Sequence, residues 1–191
     1  MTAMALEGEE GARDPLSVAF ICTGNRFRSP LAAAFLAREA RVPLRIESLG
    51  TLKLGPVPAL PEAIELARRH GLDLASHTAR TIREVDLEPF DLVLGFELSH
   101  ISAAVVDGKA REANTFLLAE LVSLLESGSS PDGDGPAERA RARVARAAAT
   151  RGMPSAELEL PDPLGRPARA QRKIAERLET LVRELYYRLF V

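Results

Sequence analysis

At 191 residues the chain is long enough to bury a core without disulfide staples, and its 46% hydrophobic and 27% charged content excludes a disordered or a bilayer-embedded chain. A formal net charge of -2 supplies no basic field, which argues against general attraction to nucleic acid or to a membrane surface. The single cysteine, Cys22, excludes an internal disulfide and a cysteine-based zinc site, so its thiol is either core filler or a working group.

Residues 1–15 are rich in Glu, Gly and small residues without apolar periodicity, and read as a frayed tail ahead of one domain over 16–191. With no apolar h-region in that stretch, the expected location is the reducing cytoplasm, where a free thiolate persists. Leu16 to Ile21 is a continuous apolar run, as in a strand buried on both faces, and it delivers Cys22 to its carboxyl end beside the turn signal Thr23-Gly24-Asn25. Ser29 followed by Pro30 is a helix start, with Ser29 as hydroxyl N-cap and Leu31, Ala34 and Phe35 on one face. Leu44 to Glu47 alternates like a second strand, and Pro61 to His70 reads as a helix closed by Gly71.

Asp91 to Gly95 is another apolar run, Ser99 to Val106 is helix-like, and Ala113 to Leu118 offers a fourth strand running into a helix over Ala119 to Leu125. Residues 127–136 read as a flexible loop. Ala137 to Arg151 is helix-forming but short of large apolar residues, which predicts light packing on the surface within an insertion over 127–157. A last helix, about Arg169 to Leu189, carries an apolar stripe at Ile174, Leu178, Leu181 and Leu185. The alternation of strands and helices gives an α/β class with a parallel sheet.

The residues Cys22 to Ser29 fit the spacing C-x5-R-S between a buried strand and a helix start. A loop wrapping back to a helix N-terminus turns successive backbone N–H groups inward, which makes a cradle for an oxyanion such as phosphate. Gly24 and Asn25 are residue types that tolerate the left-handed angles such wrapping requires. Arg28 supplies a planar fork for two phosphate oxygens, and the same field favours thiolate over thiol at Cys22. Ser29 is placed to donate its hydroxyl to that sulfur. Cleaving a monoester also needs a proton for the leaving oxygen. Pro161-Asp162-Pro163 presents one carboxylate on a stiff backbone with Gly165 just beyond, although the same residues also suit a simple turn capped by its Asp.

On these residues the sequence resembles the low-molecular-weight protein tyrosine phosphatase family, bacterial members included. The resemblance runs from about Val18 to the C-terminal helix. It rests on Phe20-Ile21-Cys22-Thr23-Gly24-Asn25 with Arg28-Ser29-Pro30, on Ser48 with Gly50-Thr51, on Phe90 to Leu94, and on Pro161-Asp162-Pro163. It implies a four-stranded parallel sheet flanked by helices on both faces, with a phosphate-binding loop after the first strand. It further implies Cys22 as nucleophile, Arg28 as phosphate clamp and Asp162 as general acid and then base, with no metal and no cofactor. Thr23, Gly24, Asn25, Arg26, Phe27, Ser29, Leu52 and Leu164 are the implied substrate contacts, and Asn25, Ser29, Ser48 and His77 the network holding the loop. The implied partner is a phosphorylated protein or a small phosphate monoester, and the expected assembly a monomer or weak dimer.

Three positions depart from the family pattern. Phe27 stands where a second cysteine often protects the nucleophile, so no protective disulfide can form. Leu52 and Leu164 stand where aromatic rings usually wall the pocket, forgoing ring-on-ring contacts worth about 0.5–1.5 kcal/mol per pair. Arg26 and Phe27 are left to line the rim.

Two other functions share the loop. An arsenate reductase would need an external thiol, since Cys22 has no cysteine partner, and a phosphate-binding module would recognise a phosphorylated partner without turnover. The Arg139 to Arg151 run reads as a solvated helix face. Asp132 and Asp134 lack calcium-loop spacing, and His70 and His100 are expected at the surface without paired metal ligands.

Overall fold

The computed structural model describes residues 15–125 and 133–191. All of the expected tail but Pro15, the larger part of the 127–136 loop and Asp132 therefore lie outside the described residues. Strand β1 (Leu16–Cys22) is buried along all of its length and forms the inner spine of a sheet ordered β2-β1-β3-β4. It pairs in parallel with β2 (Leu44–Gly50) and β3 (Leu92–Gly95), and β3 pairs in parallel with β4 (Thr115–Leu117). An unbroken apolar run is what a strand covered on both faces requires, whereas β2, at the sheet edge, stays partly open over its first five residues and is buried at Leu49 and Gly50. Leu16, Val18, Phe20 and Cys22 join the larger apolar cluster on one face, while Ala19 and Ile21 join a smaller one on the other.

The larger face is covered by α1 (Arg28–Glu39), α2 (Pro61–Arg69), α4 (Leu118–Leu124), α5 (Pro136–Thr150) and α6 (Ala168–Phe190). The smaller face is covered by α3 (Leu98–Val106) and by residues of the 82–90 segment, including Ile82, Leu87 and Phe90. Helix α2 begins with Pro61 in its first turn and ends before Gly71, whose φ of +71° is the left-handed conformation that suits glycine. The predicted stripe on α6 is buried at Ile174, Leu178, Leu181 and Leu185.

Helix α5 corrects the expectation of light packing. Its small face of Ala140, Val144 and Ala147 is buried, and Arg151 just beyond it pairs with the buried Glu120 at 2.7 Å. Side chains this small let a helix approach its neighbours closely, so a shortage of bulk still leaves this surface helix a closely packed inner face. Among the described residues no helix is long and apolar enough to cross a membrane.

The amino ends of the strands are closed by a polar knot. Asp91 accepts from the Ser17 backbone N–H and hydroxyl, both at 2.8 Å, and from Arg141 Nε at 2.7 Å. Burial works against ionisation of Asp91, yet the bonds from Arg141 and Ser17 outweigh it and hold the carboxyl below its ordinary range.

Candidate active site

At the opposite end of the sheet, β1 stops at Cys22 and the chain loops through residues 23–27 before α1 begins at Arg28. The N-cap position of α1 is Phe27, without a side-chain cap, so Ser29 lies inside the first turn and the expected N-cap role is corrected. Its hydroxyl instead turns back under the loop. It lies 3.0 Å from Cys22 Sγ and 3.2 Å from the Leu49 carbonyl, and accepts from Asn25 Nδ2 at 2.9 Å. With the sulfur ionised, the one Ser29 proton goes to it.

Asn25 carries the loop's strain. Its φ of +52° is left-handed, the conformation that costs an ordinary residue about 1–2 kcal/mol and asparagine less. Of the two residue types that tolerate left-handed angles here, Asn25 takes one and Gly24 does not. Asn25 is fully buried and tied on every side. Its amide donates to Ser29 and to Ser48 Oγ at 3.0 Å, its Oδ1 accepts from the Arg80 backbone N–H at 2.8 Å, and its carbonyl lies 2.7 Å from His77 Nε2. These contacts over-determine the strained residue and so hold the loop in one shape. The structure thus brings together Asn25, Ser29, Ser48 and His77, and adds the Arg80 amide. Gly50 completes the seat, because a Cβ there would lie 3.0 Å from both Asn25 N and Thr23 O.

The Asn25 N–H points at Cys22 Sγ from 3.2 Å. Among the described residues the N–H groups of Gly24, Arg26 and Phe27 have no protein acceptor. Buried or half-buried donors of this kind call for an anion or water. Cys22 is only 3% exposed, yet it forms part of the wall of a cleft of about 290 Å³. Thr23, Gly24, Arg26, Phe27, Arg28, Leu52, Asp162 and Leu164 line the same cleft, joined by Leu54 and Leu60, which sequence reasoning missed. Asn25 and Ser29, expected among the substrate contacts, do not line it, because their side chains are spent beneath the loop.

Arg28 enters the cleft from α1 with a guanidinium only 2% exposed. Nη1 donates to Glu97 and to the Leu160 carbonyl at 2.9 Å, and Nη2 lies 3.2 Å from Asp162 Oδ2 and 3.4 Å from Thr23 Oγ1. Asp162 therefore does two things at once. Its Oδ1 accepts the Leu164 N–H at 3.0 Å, as a turn residue does, while its Oδ2 faces the clamp, and the side chain as a whole remains 44% exposed. Glu97, at the start of α3, had no signal in the sequence that marked it as a partner of Arg28.

His100 corrects another expectation. It is 1% exposed, with Nδ1 accepting from the Phe96 and Glu97 N–H groups at 3.2 and 3.1 Å and Nε2 3.0 Å from Thr23 Oγ1. Burial, reinforced by the Arg28 cation, pushes its pKa down to about 4. His70 is half-buried, its Nδ1 2.9 Å from Glu179. Among the described residues there is no cluster of His, Cys, Asp and Glu able to hold a metal ion.

The family model for low molecular weight phosphotyrosine protein phosphatases matches residues 17–130. The chain is 30% identical over 117 residues to the low molecular weight protein-tyrosine-phosphatase Etp of Escherichia coli (strain K12), covering 61% of this chain and 76% of that protein. Over 175 residues, 92% of this chain and 97% of the relative, it is 25% identical to a protein-arginine-phosphatase of Geobacillus stearothermophilus. The crystal structure of a low molecular weight protein tyrosine phosphatase from T. tengcongensis superposes with a TM-score of 0.66 at 26% identity, covering 90% of this chain and 97% of that one. With more than half its length matched by the family model and a cysteine loop of this build, the chain belongs to the low molecular weight phosphotyrosine protein phosphatase family, whose members are cysteine-dependent phosphatases.

Proposed function

We propose that this chain hydrolyses phosphate monoesters through a phosphocysteine on Cys22. The observation that carries the reading is the cleft itself, where one thiol, three unpartnered backbone N–H groups, a guanidinium and a half-exposed carboxylate converge. Phosphate oxygens take the loop donors and the Arg28 fork, and this requires the Arg28–Asp162 contact to open as substrate enters. The thiolate attacks phosphorus in line with the ester oxygen, the P–O bond breaks, and protonated Asp162 gives its proton to the leaving oxygen. Asp162, now a carboxylate, takes a proton from water as that water attacks phosphorus. The P–S bond breaks, inorganic phosphate leaves and the thiolate returns, with Ser29 Oγ at 3.0 Å bonded to the sulfur as it leaves.

The substrate assigned is a phosphorylated protein side chain or a small aryl phosphate. The walls are aliphatic at Leu52, Leu54, Leu60 and Leu164, with Phe27 as the one ring lining the cleft among the described residues, and the volume is at the small end for ligand clefts. A second reading, phosphoarginine in a protein, is favoured by the relative named a protein-arginine-phosphatase, which spans almost all of the chain. Arg26 at the cleft weighs against it, because a guanidinium leaving group meets a like charge there. The single free thiol supports the assignment to a reducing cytoplasm.

Hydrolysis of p-nitrophenyl phosphate by the wild type, lost in Cys22→Ser, is the expected result. An unchanged rate in the mutant overturns the mechanism. Matched peptides carrying phosphotyrosine or phosphoarginine then separate the two substrate readings by kcat/KM.

A further inference from the structure

Beside the clamp lies a chain of polar groups that the reaction as described leaves unused. The two backbone N–H groups of Phe96 and Glu97 both point at His100 Nδ1. That nitrogen must accept, so the ring proton sits on Nε2, and Nε2 donates to Thr23 Oγ1 at 3.0 Å. The same oxygen receives a second, longer contact from Arg28 Nη2 at 3.4 Å. Both lone pairs of the Thr23 hydroxyl are then occupied, and its own proton has no protein acceptor among the described residues. Thr23 follows the nucleophile directly and lines the cleft with Arg28 and Asp162, so the cleft is the direction left to that proton.

We infer that His100 is a positioning residue that turns the Thr23 hydroxyl into a hydrogen-bond donor aimed at an oxygen of the phosphate held by Arg28. The inference deepens the phosphatase reading and rests on it. A lone threonine hydroxyl rotates among three staggered positions and accepts as readily as it donates. With its acceptor sites filled from behind, it meets an incoming oxyanion only as a donor, and no reorganisation is needed when charge develops. The buried ring keeps its neutral tautomer across the working range, since a proton on Nδ1 would face two N–H groups. Its depressed pKa agrees with this.

The test is a double-mutant cycle read as kcat and KM for p-nitrophenyl phosphate at pH 7. His100→Asn keeps an acceptor near Nδ1 for the two amides but does not reach Thr23, and Thr23→Val keeps the shape and removes the hydroxyl. Each single change is expected to lower kcat about tenfold, and His100→Asn to cost no more than about twofold in the Thr23→Val background. His100→Gln, whose amide reaches the Nε2 position, recovers part of the loss. Equal factors in both backgrounds, or no loss in His100→Asn, overturn the inference while leaving wild-type turnover and its dependence on Cys22 intact. Absent wild-type turnover defeats the phosphatase reading and this inference with it. Should the His100 variants not fold by thermal melt, Thr23→Ser against Thr23→Val decides alone: retained activity in the first and loss in the second supports the donor, and equal loss refutes it.

Discussion

The two ends of the sheet each hold a carboxylate against an arginine, and they are used differently. At the amino ends, both Asp91 oxygens meet Arg141 and one also meets Ser17, all from elements fixed in the fold, with Asp91 18% exposed. At the carboxyl ends, Arg28 is buried to 2% but its partner Asp162 is 44% exposed and sits on a turn outside any helix or strand. A carboxylate whose two oxygens are both taken by donors held in the fold has its hydrogen bonds already spent within the protein. A pair with one loosely held member at a cleft leaves room for an incoming anion to take that member's place. What sets the reactive end apart is less the kind of side chain than where the chain leaves donors unspent.

Asp162→Asn breaks the comparison most sharply. Without a proton to give, kcat falls roughly a hundredfold or more, and more for phenyl phosphate than for p-nitrophenyl phosphate, whose leaving group departs unaided. The melting temperature stays within about 2 °C of wild type, as expected where the carboxylate lost is largely exposed and Glu97 still pairs the buried Arg28. Unchanged kcat with a lowered melting temperature would make Asp162 a turn residue only.

His100 ties the reactive end to stability. Its folded ring stays neutral down to about pH 4, while the unfolded ring takes a proton below its ordinary 6.5. The unfolded state therefore binds more protons between those values. Stability is full above pH 6.5 and falls as pH drops through that window, by on the order of 3 kcal/mol. Burial and then Arg28 lower the ring's pKa, while Asp162 and Glu159 pull it up; Glu97 Oε2 lies 3.8 Å from Nε2. Urea titrations across pH 4–7 should lose much of this slope in His100→Asn, and an unaltered slope assigns it to other groups.

Asp91→Asn is the converse of Asp162→Asn. It removes a mostly buried ion pair and lowers stability by about 2 kcal/mol without changing kcat or KM. The Asp91 contribution is present above the ordinary carboxylate range and is lost as pH falls through its lowered value, so the mutant's deficit disappears in acid. A kcat loss in Asp91→Asn would mean that the two ends of the sheet are coupled.

What the sequence reveals of these two ends follows the range of the interactions. Cys22 to Ser29 is readable because the loop's chemistry is local: strand, turn residues, an arginine at a fixed spacing, and a helix within ten residues. The same holds for β1, whose burial on both faces leaves an unbroken apolar run. Glu97 and His100 are not readable, because their contacts to Arg28 and Thr23 span 69 and 77 residues of sequence. Nothing in a helix start distinguishes a buried histidine from an exposed one until the loop arrives above it. The Pro-Asp-Pro turn shows where Asp162 is stiffened but not that Leu160, bonded to the Phe96 carbonyl at 2.8 Å, moors the segment beside Arg28. Ser29 misleads for a similar reason, since a hydroxyl ahead of a proline reads as a cap until a buried asparagine and a thiol compete for it.

One further substitution tests the seat beneath the loop. A Cβ at Gly50 would press on the backbone at Asn25 N and Thr23 O at 3.0 Å and at Gly24 C at 3.1 Å, atoms that cannot swing aside as a flexible side chain would. Gly50→Ala should therefore displace the loop by a few tenths of an ångström, enough to disturb donors aimed at phosphate, and lower kcat about tenfold while costing about 1–2 kcal/mol in stability. Gly152→Ala, where an added Cβ meets nothing within 4 Å, serves as its control and leaves both unchanged. If Gly50→Ala lost stability but kept full kcat, the loop would hold its shape through the Asn25 contacts alone, and the close floor beneath it would be packing without a catalytic consequence.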